Sequence, residues 1–294
     1  MTPERCFEGA VMSVTIEKVI KLGLIGDNIM RSKSPKLHRT AAQMVGLDVS
    51  YDRLTPKDLG LSFEATFEKG RSAGFRGINV TYPYKEVVAK MVSIPDDIVA
   101  AIGAVNTVVF DEDGPKGFNT DYSGFKRAYC NVMGDTEPGT VCLIGSGGVG
   151  RAIAFALADL GADVLRLVDL DQNKAAALAE ALQPFAGRTR VEAGTDASAA
   201  AQEADGIVNC TPLGMVGIGG TPLPRSAMLR AGWCFDAVYT PVETEFLQHA
   251  AEIGLKIITG YELFFGQGID AWQIFTGRHL DHDALRQAIL SDPS

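Results

Sequence analysis

The chain has 294 residues, of which 46% are hydrophobic and 21% are charged, a composition typical of a globular protein with room for two domains. The formal net charge is −9 and no basic run appears, so the composition gives no support to nucleic-acid binding. No apolar stretch approaches the roughly 20 residues of a membrane-spanning helix, so we expect no membrane partner.

The cysteines and the N-terminal segment indicate a cytoplasmic protein. Cysteines are dispersed along the chain without a CxxC or Cys/His cluster, so we expect neither a disulfide framework nor a bound metal. They are Cys6, Cys130, Cys142, Cys210 and Cys234. Residues 1–17 are polar and mixed, with no secretory signal; we expect them to be loose, and Met12 is a candidate natural start.

The first block of the chain alternates strands with helices. Apolar runs predict strands at 19–25, near 49–54, at 77–81 and at 105–110. Helices are predicted at 35–45, within 57–72 and at about 84–91. This α/β alternation contains no glycine-rich phosphate loop, so we expect the block to supply something other than cofactor binding.

Four polar clusters interrupt this block where strands or loops end. They are residues 32–35 (SKSP), 79–85 (NVTYPYK), 106–107 (NT) and 119–121 (NTD). Asn79 and Thr81 are two apart on a strand and therefore share a face, and Lys85 starts the next helix near the carboxyl edge of the sheet. Ligands bind at that edge in open α/β sheets.

Each cluster also has a simpler interpretation. Ser34 or Thr81 could cap a helix, Asn106 and Asp121 could be turn residues, and Lys85 could be a solvated surface lysine. Because four such clusters occur in one lobe beside a cofactor domain, we favour a binding site.

Residues 143–150 read LIGSGGVG and lie between a predicted strand at 140–144 and a predicted helix at 151–160. A second strand at 164–168 delivers Asp169 at its end. Glycines let the backbone approach a pyrophosphate, amides at the helix start meet its charge, and the carboxylate accepts from the adenosine ribose hydroxyls. The alternative is a tight turn whose glycines serve packing, but the strand–turn–helix–strand context favours a dinucleotide site.

The later elements complete a two-lobed α/β prediction. Strands are expected at 206–210, 234–238 and 256–258, with a helix at 243–253, and residues 262–291 are helical and apolar. We predict a substrate domain in 1–125, a Rossmann-type dinucleotide-binding domain in 126–260, and C-terminal helices in 261–294 that return to the substrate lobe. A cleft would lie between the lobes.

The order of these motifs closely resembles that of the shikimate/quinate dehydrogenases, over residues 23–277. The matching segments are 23–26 with 32–38 (SxSPxxH), 77–85 (GxNVTxPxK), 102–107 (IGAVNT), 117–125 (GxNTDxxGF), 209–215 (NCTPLGM), 236–244 (DAVYxPxxT) and 267–277.

The resemblance implies a small-molecule substrate that is a cyclic polyhydroxy carboxylic acid. Shikimate would be oxidised reversibly to 3-dehydroshikimate, and quinate to 3-dehydroquinate is a second candidate reaction. Lys85 and Asp121 would form the catalytic pair and also contact the substrate, while Ser32 and Ser34 would hold its carboxylate. The implied contacts to ring hydroxyls are Asn79, Thr81, Asn106, Asp121, Tyr239 and Gln267. Because Lys85 must be neutral to accept a proton, we expect faster oxidation at alkaline pH.

The cofactor residues combine the glycine-rich loop with later segments that match the family. They are Gly145, Ser146, Gly147, Gly148, Val149, Asp169, Thr211, Ala237 and Gly260. The family usually carries an arginine-containing stretch for the phosphate of NADP after the second cofactor strand, but residues 169–174 here read DLDQNK. The chain therefore resembles the NAD-using branch, and we predict NAD over NADP.

Three alternatives remain at this point. The family methionine between positions 260 and 267 is replaced, since the segment reads GYELFFGQ, so an amino-substituted or other shikimate-like acid stays a candidate substrate. A non-catalytic NAD-sensing protein would have no reason to keep both Lys85 and Asp121. An interaction module would call for an extra domain or a large apolar surface. The enzyme is favoured, as a monomer or homodimer.

Overall fold

The computed structural model describes residues 19–291, so the expectations about residues 1–17 and a start at Met12 lie outside the described residues. The strands within 19–291 form two separate sheets, one of five strands and one of six. None of the helices in this part of the chain is long and apolar enough to cross a membrane.

The first sheet carries the polar clusters. Its elements, with the helix that follows them, are β1 (Ile20–Ile25), α1 (Ser34–Met44), β2 (Val49–Leu54), α2 (Pro56–Leu59), α3 (Phe63–Ser72), β3 (Gly77–Val80), α4 (Lys85–Val88), α5 (Asp97–Ile102), β4 (Thr107–Asp111), β5 (Gly114–Phe118) and α6 (Thr120–Met133). The strand order is β2-β1-β3-β4-β5. β1 pairs in parallel with β2 and β3, and Ile25 lies opposite Val80, so the loops after β1 and β3 leave the same carboxyl edge. β4 and β5 run antiparallel.

The second sheet is parallel throughout. Its elements are β6 (Thr140–Ile144), α7 (Gly148–Asp159), β7 (Val164–Val168), α8 (Gln172–Leu182), β8 (Arg190–Gly194), α9 (Ala197–Ala201), β9 (Gly206–Asn209), β10 (Trp233–Asp236), α10 (Glu245–Glu252) and β11 (Lys256–Ile258). The order β11-β10-β9-β6-β7-β8 reverses at β6, which lies between β9 and β7. Such a switch point is where open α/β sheets bind ligands, and the glycine-rich loop follows β6.

Two C-terminal helices, α11 (Gly260–Thr276) and α12 (His282–Ser291), pack back on the first lobe. Trp272 and Leu285 share one apolar cluster with Leu37 of α1. α11 also crosses α6 closely, because a Cβ on Gly124 would lie 2.7 Å from the backbone nitrogen of Gln267. The predicted two-lobed α/β fold with returning C-terminal helices is confirmed. The domain boundaries at 125/126, inside α6, and at 260/261 stay a prediction.

Several predicted element ends were wrong, and polar side chains explain two of them. The strands predicted at 206–210 and 234–238 end at Asn209 and Asp236. Asn209 Oδ1 accepts from the amide two residues on, at 3.0 Å, and Asp236 Oδ1 does the same at 3.0 Å. Such local bonds turn the backbone out of the ladder.

Other elements were shorter, divided or missed. The helix predicted at about 84–91 is shorter, and the segment 57–72 holds two helices separated at Gly60, whose φ is +64°. The sequence analysis did not assign β5, an edge strand interrupted by Pro115, or β8, whose residues alternate charged and small. Neither strand shows the apolar run on which strand prediction depends.

Candidate active site

Lys85 and Asp121 form an ion pair at the carboxyl edge of the first sheet. Lys85 Nζ donates to Asp121 Oδ2 at 2.6 Å, and the two side chains are 11% and 7% exposed. Lys85 is the first residue of α4, and Asp121 lies in the first turn of α6. The lysine is therefore largely enclosed and ion-paired with a buried carboxylate, and it is not a solvated surface lysine.

Asn119 holds Asp121 in place. Its side-chain oxygen accepts from the amides of Asp121 at 3.0 Å and Tyr122 at 3.2 Å, which makes it the N-cap of α6. Its Nδ2 donates to the Ala104 carbonyl at 2.8 Å. Asn119 lies in the polar cluster of residues 119–121, to which no role was assigned. Because no helix was predicted after it, its role as a cap could not be anticipated.

Asn79 and Asn106 belong to one buried hydrogen-bond network. Asn79 Nδ2 donates to Thr107 Oγ1 at 3.0 Å and to the Asn106 carbonyl at 3.3 Å. Asn106 Oδ1 accepts from the Thr120 amide at 2.8 Å, so it fastens the start of α6 to the sheet. The network brings two predicted ring-hydroxyl contacts beside the helix that carries Asp121.

The two serines predicted to hold the carboxylate lie together after β1. Ser32 Oγ donates to Ser34 Oγ at 3.1 Å and accepts from the Ser34 amide at 3.3 Å. The N-cap of α1 is Lys33, with no side-chain cap, so Ser34 is the first helical residue and does not cap the helix. Tyr239 hydrogen-bonds Ser32, and burial raises the pKa of the Tyr239 hydroxyl.

Thr81 and Gln267 occupy less connected positions. Thr81 follows the end of β3, and its methyl group packs over Gly26. The N-cap of α4 is Tyr84, so Thr81 is not the cap. Gln267 Oε1 accepts from Thr120 Oγ1 at 3.5 Å, which places α11 against the same network.

Two buried aromatic residues connect the serines to Asn79, and the sequence analysis gave neither a role. The Tyr51 hydroxyl donates to Asn79 Oδ1 at 2.8 Å and hydrogen-bonds Ser34. His38 stacks on the Tyr51 ring at 4.8 Å between centroids. Burial lowers the pKa of His38 to about 3, against a hydrogen bond with Asn79 that raises it. His38 closes the motif of residues 32–38, but no local pattern marks Tyr51.

The glycine-rich loop has the geometry of an anion cradle. Gly145 has φ +101°, and a Cβ on Gly150 would lie 1.8 Å from the Gly145 carbonyl oxygen, so both positions require glycine. Space is open around Gly147. Ser146 is 4% exposed, and among the described residues its hydroxyl has no hydrogen-bond partner. A buried unpartnered hydroxyl next to the amides of a helix start fits a pyrophosphate.

Asp169 closes the other side of this loop from the end of β7. Its Oδ2 accepts from the Ser146 amide at 2.8 Å, and its Oδ1 accepts from the Asp171 amide at 3.0 Å. Asp171 in turn caps α8. Arg166, inside β7, donates to the carbonyls of Ala200 at 3.0 Å and Gln202 at 2.6 Å. Its guanidinium is therefore committed away from the carboxylate of Asp169.

The remaining predicted cofactor residues lie at the ends of β9 and β10. Thr211 Oγ1 donates to Asn209 Oδ1 at 2.7 Å, and the Ala237 amide donates to the Asn209 carbonyl at 2.8 Å. Gly260, the first residue of α11, packs against the Val238 carbonyl. Gly148 and Val149 begin α7.

A buried carboxylate that the sequence analysis missed organises these loops. Asp236 accepts from Asn209 Nδ2 at 3.0 Å and from Thr244 Oγ1 at 2.5 Å. Burial raises the pKa of Asp236 to about 6 although these bonds lower it. The sequence signal was the matching segment of residues 236–244, which begins with Asp236.

Two family models match separate parts of the chain. The model described as the shikimate dehydrogenase substrate binding domain matches residues 24–108. The model described as NADP oxidoreductase coenzyme F420-dependent matches residues 140–217. The two matches fall on the two sheets.

Relatives match over almost the whole chain. A quinate/shikimate dehydrogenase (NAD(+)) of Corynebacterium efficiens is 38% identical over 279 residues, which are 92% of this chain and 98% of the relative. A shikimate dehydrogenase (NADP(+)) of Pseudarthrobacter chlorophenolicus is 37% identical over 274 residues, 92% of this chain and 94% of the relative. The structure of quinate dehydrogenase from Corynebacterium glutamicum in complex with NAD superposes with a TM-score of 0.84 at 34% identity, and covers 93% of this chain and 99% of that chain.

Proposed function

This chain belongs to the shikimate dehydrogenase family, and we propose that it oxidises shikimate reversibly to 3-dehydroshikimate with NAD as the preferred cofactor. Quinate is the second substrate of the proposal. The observation that carries it is the buried Lys85–Asp121 pair, 2.6 Å apart, beside the glycine-rich loop of the other lobe. A binding protein without catalysis would have no use for a lysine held at this edge.

The proposed chemistry divides a hydride and a proton between two acceptors. A bound nicotinamide supplies the hydride acceptor for the carbon that bears the reacting hydroxyl. Lys85 handles the proton: its neutral amine takes it from the hydroxyl during oxidation, and its ammonium returns it to the alkoxide during reduction. Asp121 accepts a hydrogen bond from Nζ and orients the amine.

Substrate recognition is proposed to occur at two ends of one network. The hydroxyls of Ser32 and Ser34 would donate to the carboxylate. Asn79 and the other residues predicted to contact ring hydroxyls would read the opposite side of the ring. A ring hydroxyl or side chain that is left unpaired in this buried site costs about 1–3 kcal/mol, which makes the site selective for a polyhydroxy acid.

The NAD preference is proposed from the charges at the end of β7. An adenosine 2′-phosphate would meet the carboxylate of Asp169, with Asp171 two residues away. At an effective dielectric near 20, a unit-charge pair about 4 Å apart costs roughly 4 kcal/mol, and salt reduces that figure. Arg166 is held by two carbonyls and an ion pair with Glu192, so it offers the phosphate no compensation.

A steady-state panel tests this proposal. We expect turnover of shikimate with NAD, slower turnover with NADP, and measurable oxidation of quinate; an amino-substituted shikimate analogue is the third substrate. Titration calorimetry of NAD runs in parallel. NAD binding without turnover of any of the three acids would instead support the NAD-sensing alternative.

The proposal extends to location and assembly. Cys142 and Cys234 are buried free thiols, which suits the reducing cytoplasm. We propose a monomer or homodimer there.

A further inference from the structure

Arg151 of α7 reaches from the second lobe into the first. Its Nε donates to the Ile102 carbonyl, and its Nη2 lies 3.4 Å from the Ala101 carbonyl. These carbonyls belong to the last turn of α5, where a helix lacks internal partners and carries partial negative charge. The guanidinium thus caps a helix of the opposite lobe, and because it is planar with several donors it can bond two carbonyls at once.

The segment that follows α5 supports both members of the catalytic pair. The Val105 amide donates to the Lys85 carbonyl at 2.9 Å. The Ala104 carbonyl accepts from Asn119, which caps α6 and bonds the Asp121 amide. A shift of residues 102–105 would therefore move the backbone of Lys85 and the cap of the helix that carries Asp121.

The helix that carries Arg151 also touches the lysine directly. A Cβ on Gly148, the first residue of α7, would lie 3.1 Å from Lys85 Cβ and 3.6 Å from Ala104 Cβ. The start of α7 continues the glycine-rich loop, so the cofactor cradle and the lysine stem lie too close for a side chain between them. The Arg151 guanidinium is anchored about one helical turn from this point.

We propose that Arg151 is a positioning residue that sets the spacing between the cofactor cradle and the Lys85–Asp121 pair. The inference rests on the catalytic roles proposed for that pair. Reactions between two held groups are sensitive to geometry, and a misplacement of about 1 Å costs on the order of 10²-fold in rate. Removing the Arg151 guanidinium should loosen the spacing between the glycine-rich loop and the Lys85–Asp121 pair, while the residues of both remain in place.

Arg188, in the segment before β8, provides a matched control at the other end of α7. Its Nη2 donates to the Gly161 carbonyl at 3.1 Å, just past the last turn of α7, and it pairs with the exposed Glu137. R188A removes an arginine–carbonyl bond of the same kind at the end of α7 opposite to Arg151. R151K keeps the positive charge but not the planar fork.

Amide hydrogen exchange in the cofactor-free protein measures the network itself. We expect R151A to exchange faster than wild type in peptides that cover 101–106 and 119–122. R188A should exchange faster only near residue 161. Equal protection of 101–106 in R151A and wild type would overturn the proposal.

Kinetics with shikimate deuterated at the oxidised carbon provide the second readout. We expect R151A to lower kcat about 10–100-fold with a small change in shikimate KM, and R151K to lie between R151A and wild type. The deuterium isotope effect on kcat should rise, because hydride transfer becomes more rate-limiting. A loss of folded protein would lower the apparent kcat without changing the isotope effect.

The two proposals fail in different ways. If R151A and R188A both keep the wild-type kcat and isotope effect, the positioning role is wrong and the proposed reaction is untouched. If K85A turns over normally, the catalytic pair itself is wrong. Should R151A not fold, R151K decides: a lower kcat with a larger isotope effect supports the role, and wild-type values overturn it.

Discussion

The loops at the carboxyl edges of the two sheets offer different chemical groups to a ligand. After β6 the loop offers backbone amides and empty space, and the carboxylate of Asp169 closes it. At the carboxyl end of β3 the site consists of side chains such as Asn79 and Asn106, which are joined by hydrogen bonds. In the backbone cradle the choice between ligands depends mainly on one side chain, that of Asp169. In the side-chain network the choice depends on many residues. We therefore expect single substitutions at the edge of the first sheet to change turnover or substrate binding. At the edge of the second sheet they should change the choice between NAD and NADP.

Removing the amine of Lys85, at the carboxyl edge of the first sheet, should have the largest effect on turnover. We expect Lys85→Ala to lower kcat by about 10²–10⁴-fold, the usual range for a general acid–base group, with a smaller change in shikimate KM. Steady-state kinetics measure both. Lys90→Ala removes an exposed lysine just past α4 and should leave kcat unchanged. If K85A has the same kcat as K90A, Lys85 is not the general acid–base group of the reaction.

Removing the two serines should weaken binding instead of turnover. Hydrogen bonds to a charged group contribute about 1.5–3 kcal/mol each, so Ser32→Ala with Ser34→Ala should raise shikimate KM on the order of a hundredfold or more.

Ser62 is the matched control, because it does cap a helix: its Oγ accepts from the Ala65 amide at 3.2 Å. Ser62→Ala should lower the thermal midpoint, since a lost cap costs about 1 kcal/mol, and leave KM alone. If the double variant behaves like S62A in both measurements, the serines serve stability and not the substrate.

His38 allows the same network to be tested through pH. Its folded-state pKa of about 3 lies below the ordinary value of 6.5, so the stability gained by keeping it neutral is present above pH 6.5 and is lost as pH falls toward 3. Between pH 7 and pH 5 the lowered pKa of His38 reduces the free energy of unfolding by about 2 kcal/mol. We expect His38→Gln to lose less unfolding free energy than wild type over that interval, as measured by urea titration. Parallel curves would show that His38 does not report on the network.

Substitution of Asp169, beside the glycine-rich loop, should give the smallest effect and should change only the choice between NAD and NADP. We expect wild-type kcat/KM to favour NAD over NADP by at least about tenfold, roughly 1.4 kcal/mol, and Asp169→Ala to narrow that gap. Asp163→Ala, an exposed aspartate just before the other end of β7, should leave it unchanged. Equal use of both cofactors by wild type would contradict the proposed preference without affecting the other predictions.

The same difference explains what the sequence could predict. The glycine-rich loop and Asp169 follow a local spacing that backbone recognition imposes, so they could be located from the sequence. Lys85 and Asp121 could be singled out as polar residues at strand and helix ends, but their pairing could not. Tyr51 of β2 bonds Asn79 of β3, 28 residues away and across the intervening strand β1. Asp236 of β10 bonds Asn209 of the neighbouring strand β9, 27 residues away. No local period encodes such contacts. Edge strands such as β8 lacked the apolar signal as well.

The return of α11 to the first lobe sets an order of events during synthesis. The dinucleotide sheet is complete once β11 has been made, at Ile258. The helix that brings Gln267 to Thr120 is translated only afterwards, although its partner α6 was made more than a hundred residues earlier. The nascent chain therefore contains the complete second sheet and the glycine-rich loop before α11, the last element of the substrate site, has been synthesised.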